Sequence, residues 1–203
     1  MASREDRLDA LFDGAYALLQ AGEYDNFTIE AVANSAGMAR KTVYTLVASK
    51  EELIHGLILR EGAKLVGLLG NDTGTEQGVL NQLRAYLAVW ARLALGPVGL
   101  GIYLMAVAQR ASLPALARSY EGQGMAYAAG VLRAWLERPA VRTLFAIDDV
   151  AQAIDLLNAV LIAQPLRRAA LGLVDPMTDA DIDATVTAAL ATFVRCYGKR
   201  SGQ

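Results

Sequence analysis

Cysteine and histidine are almost missing from this chain. One cysteine, Cys196, cannot close a disulfide within the chain, and one histidine, His55, stands without Cys or carboxylate neighbours at metal-ligand spacing. A disulfide framework and a structural zinc site are therefore excluded as organising features. Also lacking are an HExxH motif, a nucleophile elbow and a glycine-rich phosphate loop, and with them the usual nucleophile, base and metal constellations. The reading is of a chain that is not an enzyme, with no catalytic residue, no metal and no cofactor. The N-terminus has no apolar stretch of the secretion-signal type, which fits a cytoplasmic protein. Between Arg92 and Arg110 runs the longest uncharged stretch, but Gly96, Pro97, Gly99 and Gly101 interrupt it and it is short for a bilayer, so no membrane partner is expected.

A net positive charge is lacking too: 19 Lys and Arg against 21 Asp and Glu give −2. Residues 1–64 hold seven cations and ten anions, yet residues 38–50 carry Arg40, Lys41 and Lys50 with no anion among them. Basicity is local, so any contact with nucleic acid must rest on a few positions rather than on a polybasic field.

What is present is helical. The composition is rich in Ala and Leu with few β-branched alternations, no internal repeat appears, and 203 residues suffice for a substantial core of one large or two small domains. The densest organisation lies in TIEAVANSAGMARKTVYTLVASKEEL, Thr28 to Leu53. Thr28 can cap a helix on which Ile29, Val32 and Ala33 recur at helical spacing; Gly37 can take the left-handed turn that ends it; and Met38, Val43 and Leu46 restart the pattern on a second short helix. Ala33, Gly37 and Val43 occupy the three places a tight helix-turn-helix needs: a small residue, a turn glycine, and a branched apolar residue packing back. Arg40, Lys41, Thr42, Tyr44 and Thr45 then lie on or near the open face of the second helix, where donors reach phosphates and base edges of a major groove. An ordinary helical hairpin with solvated charges has the same pattern. Ser49 with Glu52 predicts a capping box opening a longer helix, with Lys50 in its first turn.

The run AGMARKTVYTLVASKEELI, preceded by a helix and followed by an all-helical remainder, resembles the DNA-binding domain of the tetracycline-repressor (TetR) family of transcriptional regulators. The likeness rests on Ala36-Gly37, Thr42-Val43-Tyr44 and Ser49-Lys50-Glu51, and covers about residues 8–60. It departs from the family at Ala39, where a capping Ser or Thr is usual, and at Val47-Ala48, where an aromatic residue followed by Pro or Gly is usual. The resemblance implies an all-α fold of about nine helices: a helix-turn-helix domain at 1–48, then a helical effector-binding and dimerisation domain at 49–203. It implies a double-stranded DNA operator contacted by Thr28, Arg40, Lys41, Thr42, Tyr44, Thr45 and Lys50.

The remaining elements follow in order. Ser3 and Asp6 start helix one, with Leu8, Leu11, Phe12, Ala15, Leu18 and Leu19 as its stripe; Tyr24 and Phe27 plug the core. Helix four is expected to run to about Leu69, with 70–78 as a boundary, and further helices at about 76–95, 99–111, 114–136, 148 onwards and 178 onwards, Pro165 kinking or ending the eighth. Trp90, Tyr103, Met105, Gln109, Tyr120, Met125 and Tyr127 combine large apolar surface with a few polar tips and almost no charge, which suits either a packed core or a mostly hydrophobic ligand pocket. In the resembling family a small effector sits between helices four to seven, which makes these seven the candidate effector residues and the effector a small lipophilic or aromatic molecule. The family likewise implies a homodimer through the last two helices. Function is thus read as a ligand-responsive repressor on a palindromic operator, the alternative being a helical ligand-binding or protein-interaction module without gene-regulatory DNA binding.

Overall fold

The computed structural model describes residues 3–70, 75–174 and 177–199. Among them every regular element is helical, apart from one isolated antiparallel bridge between Phe145 and Gly198. The helices start where short polar side chains cap them. Ser3 opens α1 (Arg4–Gln20) with a reciprocal capping box to Asp6, Thr28 opens α2 (Ile29–Ser35), and Thr178 opens α12 (Asp179–Tyr197) with a second box to Asp181. Ser49 opens α4 (Lys50–Gly62), accepting from the Glu52 N–H at 3.2 Å, but the Glu52 carboxylate accepts from the Ala48 N–H at 2.5 Å, one residue earlier than a capping box places it. Among the first four helices, α3 (Arg40–Leu46) alone starts without a side-chain cap, behind Ala39.

Two compact units emerge. The first joins Met1–Ala63 to Pro97–Met125, so α6 (Pro97–Ala108) and α7 (Pro114–Ser119) share it with α1 to α4. One apolar cluster runs through it: Leu11, Leu19, Phe27, Val32, Val43, Leu53 and Leu57 bury with Ile102, Met105 and Leu116. Glycine sets the closest approaches. A Cβ on Gly14 would fall 2.8 Å from the Ala36 backbone nitrogen, and one on Gly56 would fall 2.5 Å from the Phe12 ring, so α1 meets α2 and α4 at distances no other residue allows.

The second unit, Lys64–Gly96 with Ala126–Gln203, is built on α5 (Glu76–Leu95) packed with α12. Arg92 donates to Asp179 at 3.0 Å and Asp183 at 2.8 Å, and Arg84 donates to Thr187 at 2.9 Å. Beneath them lie Leu83, Tyr86, Leu87 and Trp90 of α5, Leu132 and Trp135 of α8 (Tyr127–Leu136), Ile154 and Leu157 of α10 (Val150–Asn158), and Phe193. A short α9 (Pro139–Arg142) precedes the bridge, and α11 (Gln164–Ala170) precedes the α11–α12 connection.

Three departures from the sequence reading have local causes. Helix four stops at Gly62 and passes into a 3₁₀ turn at Ala63–Leu65 instead of reaching Leu69, with Gly67 at φ +81° turning the chain away. The sixth helix runs from Pro97 to Ala108, two to three residues earlier than the spacing predicts, because proline is pre-shaped for the first helical turn. The seventh and eighth predicted helices are each interrupted by a π-helical stretch, Tyr120–Ala126 and Ala159–Ala163. The second lies directly before Pro165, whose missing N–H the widened turn accommodates without a break.

Candidate nucleic-acid interface

The turn that presents α3 is a Schellman closure: Met38 donates to the Ala33 carbonyl at 2.8 Å, Gly37 to the Asn34 carbonyl at 3.1 Å, and Gly37 takes φ +64°. Ala33 and Val43 are buried against each other's helices. With Val43, Leu46 and Val47 facing inward, α3 turns Arg40, Lys41, Tyr44 and Thr45 outward, while Thr42 is half-buried. Tyr44 is 48% exposed. Thr45 donates to the Thr42 carbonyl at 2.7 Å, and Thr28 accepts from the Ala31 N–H at 3.1 Å while staying exposed beside the recognition helix.

Two arginines make contacts here that were not legible in the sequence. Arg40 donates to Glu30 of α2 at 2.6 Å and lies 5.7 Å from the Tyr44 ring centre, and the Tyr44 hydroxyl, then the Glu30 carboxylate, hold its proton more firmly than usual. Arg4 of α1 donates to the Leu46 carbonyl at 3.2 Å and closes the C-terminal end of α3. Capping residues near a helix start give a sequence signal; a contact across 42 positions gives none.

Lys50 is half-buried at the start of α4. Its ammonium sits 5.5 Å from the Phe27 ring centre and 3.4 Å from Gln109 Oε1, and burial, partly offset by Glu51, pulls its pKa below the ordinary lysine range. One predicted DNA contact is thereby joined to a residue predicted for the effector.

Of the seven predicted effector residues, Tyr103, Met105, Gln109, Tyr120 and Met125 belong to the first unit, and Trp90 and Tyr127 to the second. Tyr103 and Tyr120 stack obliquely at 5.7 Å, and Met105 is buried in the core. The Tyr120 hydroxyl is buried without a hydrogen-bond partner, and burial raises its pKa. His55 Nδ1 lies 3.1 Å from Ser119 Oγ, beside it in sequence. In the second unit Trp90 packs on Tyr86, whose hydroxyl donates to the Ala128 carbonyl at 2.6 Å, while Tyr127 is exposed. A groove of about 440 Å³ between α5 and α12 is lined by Arg84, Arg92 and Asp183 and includes none of the seven. Among the described residues no group of His, Cys, Asp or Glu could hold a metal ion, and no single helix is long and apolar enough to cross a membrane.

Residues 11–57 match the bacterial regulatory proteins of the tetR family, and residues 81–199 match the AefR-like transcriptional repressor C-terminal domain. No curated protein matches the chain. A TetR-family transcriptional regulator from Mesorhizobium loti shares 20% identity and a TM-score of 0.75, covering 98% of this chain and 100% of its own. For a TetR regulator from Agrobacterium tumefaciens the values are 21%, 0.70, 98% and 97%; for the flavonoid-responsive regulator FrrA they are 22%, 0.63, 96% and 98%. At these identities the likeness is one of fold. With both parts of the chain matched by the family's domains and the helix-turn-helix formed as described, the protein belongs to the TetR family of DNA-binding transcriptional regulators.

Proposed function

We propose that this chain is a cytoplasmic, homodimeric repressor that leaves a palindromic operator when it binds a small lipophilic or aromatic effector. The observation that supports it most is the outward row Arg40, Lys41, Tyr44 and Thr45 on a helix whose opposite side is anchored by Val43 and Leu46. Thr28, Thr42 and Lys50 complete the DNA contacts. In functional terms residues 1–48 read DNA, and residues 49–203 bind effector and dimerise through the last two helices. A two-fold dimer sets its recognition helices one duplex turn, or a multiple of it, apart. The effector acts by population shift, preferring the conformer in which that spacing is wrong.

The effector's chemistry follows from Tyr103, Met105, Gln109, Tyr120 and Met125, which offer flat apolar surface, an orphaned phenol and no charge. An uncharged aromatic molecule with a hydroxyl or carbonyl suits them, and FrrA, described as flavonoid-responsive, is one fold relative with that type of effector. The test is a gel shift on DNA flanking the protein's own coding region. Wild type should bind with salt-dependent affinity, and Tyr44→Ala and Lys50→Ala should bind at least tenfold more weakly while remaining folded dimers. Unchanged affinity in both variants would remove this site assignment.

A further inference from the structure

α4 follows the recognition helix directly in the chain. The contacts place another helix on the DNA-reading body. α6 is almost wholly apolar, and its Val98, Ile102, Met105 and Ala106 bury in the same cluster as Leu11, Phe27 and Val43. It is docked at two points. At Gly101 a Cβ would fall 2.5 Å from both Cδ1 and Cε1 of the Tyr24 ring and 3.2 Å from Leu19 Cδ2, so glycine is what lets the α1–α2 loop lie flat on α6. Beyond the other end, Gln109 Oε1 faces the Lys50 ammonium at 3.4 Å. Lys50 is held from below by the Phe27 ring, and Phe27 closes the same loop as Tyr24.

We propose that Gly101, against Tyr24, and Gln109, against Lys50, are positioning residues for operator binding: they fasten α6 to the α1–α2 loop and to the first residue of α4, so α6 and the DNA-reading body that carries the recognition helix move as one piece. This rests on the DNA-regulator reading above. Gly101, Tyr24 and Gln109 make no DNA contact themselves; Lys50 is the contact that Gln109 aims. Tyr24 and Gly101 fix where α3 stands relative to α6, and Gln109 fixes the direction in which Lys50 offers its charge. Because the two recognition helices of a dimer must both fit one duplex, a displacement of the Tyr24 loop on α6 costs affinity even with α3 unaltered. Alanine at 101 favours the helix intrinsically, so a loss of binding there cannot be ascribed to helix propensity.

The experiment compares wild type, Gly101→Ala, Tyr24→Ala, the double variant and Gln109→Leu on a duplex from the DNA flanking the coding region, with thermal unfolding and sedimentation alongside. Gly101→Ala is expected to lose at least tenfold in operator affinity as a folded dimer, and Tyr24→Ala in the same chain to restore affinity to within threefold of the Tyr24→Ala variant. Gln109→Leu is expected to lose threefold or more, with a salt slope shallower than wild type, since Lys50 is no longer aimed. The Gln109 arm stands independently should Gly101→Ala fail to fold. Wild-type affinity in both Gly101→Ala and Gln109→Leu, or a loss in Gly101→Ala that removing the Tyr24 ring does not repair, overturns the proposal. Wild type that binds no fragment overturns the functional reading itself, a result separable from the former.

Discussion

Ala39 stands at the N-cap of the recognition helix with φ −68° and ψ 140°, the extended conformation a capping residue adopts, yet offers no side-chain acceptor. Ala39→Ser supplies one without changing the backbone: its Oγ would accept from the N–H of Lys41, or share that of Thr42, which now donates to the Ala39 carbonyl at 2.8 Å. The gain is about 1 kcal/mol, from the usual difference between serine and alanine at N-caps. For a cooperative chain of 203 residues that is a rise in Tm of roughly 2–4 °C. Ala39→Val is the control, because valine tolerates the same extended backbone but caps no better than alanine. Scanning calorimetry and urea unfolding should place the serine variant above wild type and the valine variant at or below it, with equal m-values. Operator affinity should change by less than about threefold, since a chain stable by several kcal/mol is already almost fully folded. A serine variant no more stable than the valine variant would refute the view that the start of α3 is short of an acceptor.

The same loss of a hydroxyl should have opposite signs at two tyrosines. Tyr86→Phe gives up the bond to the Ala128 carbonyl and should cost about 1 kcal/mol in urea unfolding, whereas Tyr120→Phe removes a buried hydroxyl with no partner and should gain about as much. Equal signs would show that Tyr120 is satisfied in solution. In an effector titration read by gel shift, Tyr120→Phe should also need at least fivefold more effector for release, and an unchanged midpoint would take Tyr120 out of the effector site. Lys50→Met should unfold at higher temperature than wild type at neutral pH while binding operator more weakly. The fold lowers the Lys50 pKa, so its charged form opposes folding, and that opposition fades only as pH rises through the folded-state pKa. A variant less stable than wild type at neutral pH but not above that pKa would show that the charge is favoured in place.

The sequence announces what is settled within a turn or two of chain. Ser3, Thr28, Ser49 and Thr178 each cap the helix that their spacing to the next apolar stripe predicts, and Ala33, Gly37 and Val43 form the turn they are spaced for. It says little about where a helix is spent. α6 reads as uniformly apolar, compatible with any buried position, and its place against α1 depends on Gly101 meeting Tyr24 across 77 positions of chain. The π-helical stretches are equally silent, because adding one residue to a turn leaves the apolar pattern nearly intact on either side. At the candidate site the outward face of α3 is legible from periodicity, while the Glu30 carboxylate that holds Arg40 is not, since nothing in α2 distinguishes it from an ordinary first-turn acid.

The two compact units exchange chain at 63–64, 96–97 and 125–126, beside a 3₁₀ turn, a Gly-Pro pair and a π-helical stretch. For anyone grafting this protein's operator preference onto another regulator, splicing after the recognition helix would strand Tyr24, Phe12 and Phe27 opposite foreign partners. A graft that carries residues 97–125 along with the N-terminal segment keeps those partners together, so transplantable specificity here is a discontinuous cassette rather than a leading stretch of gene.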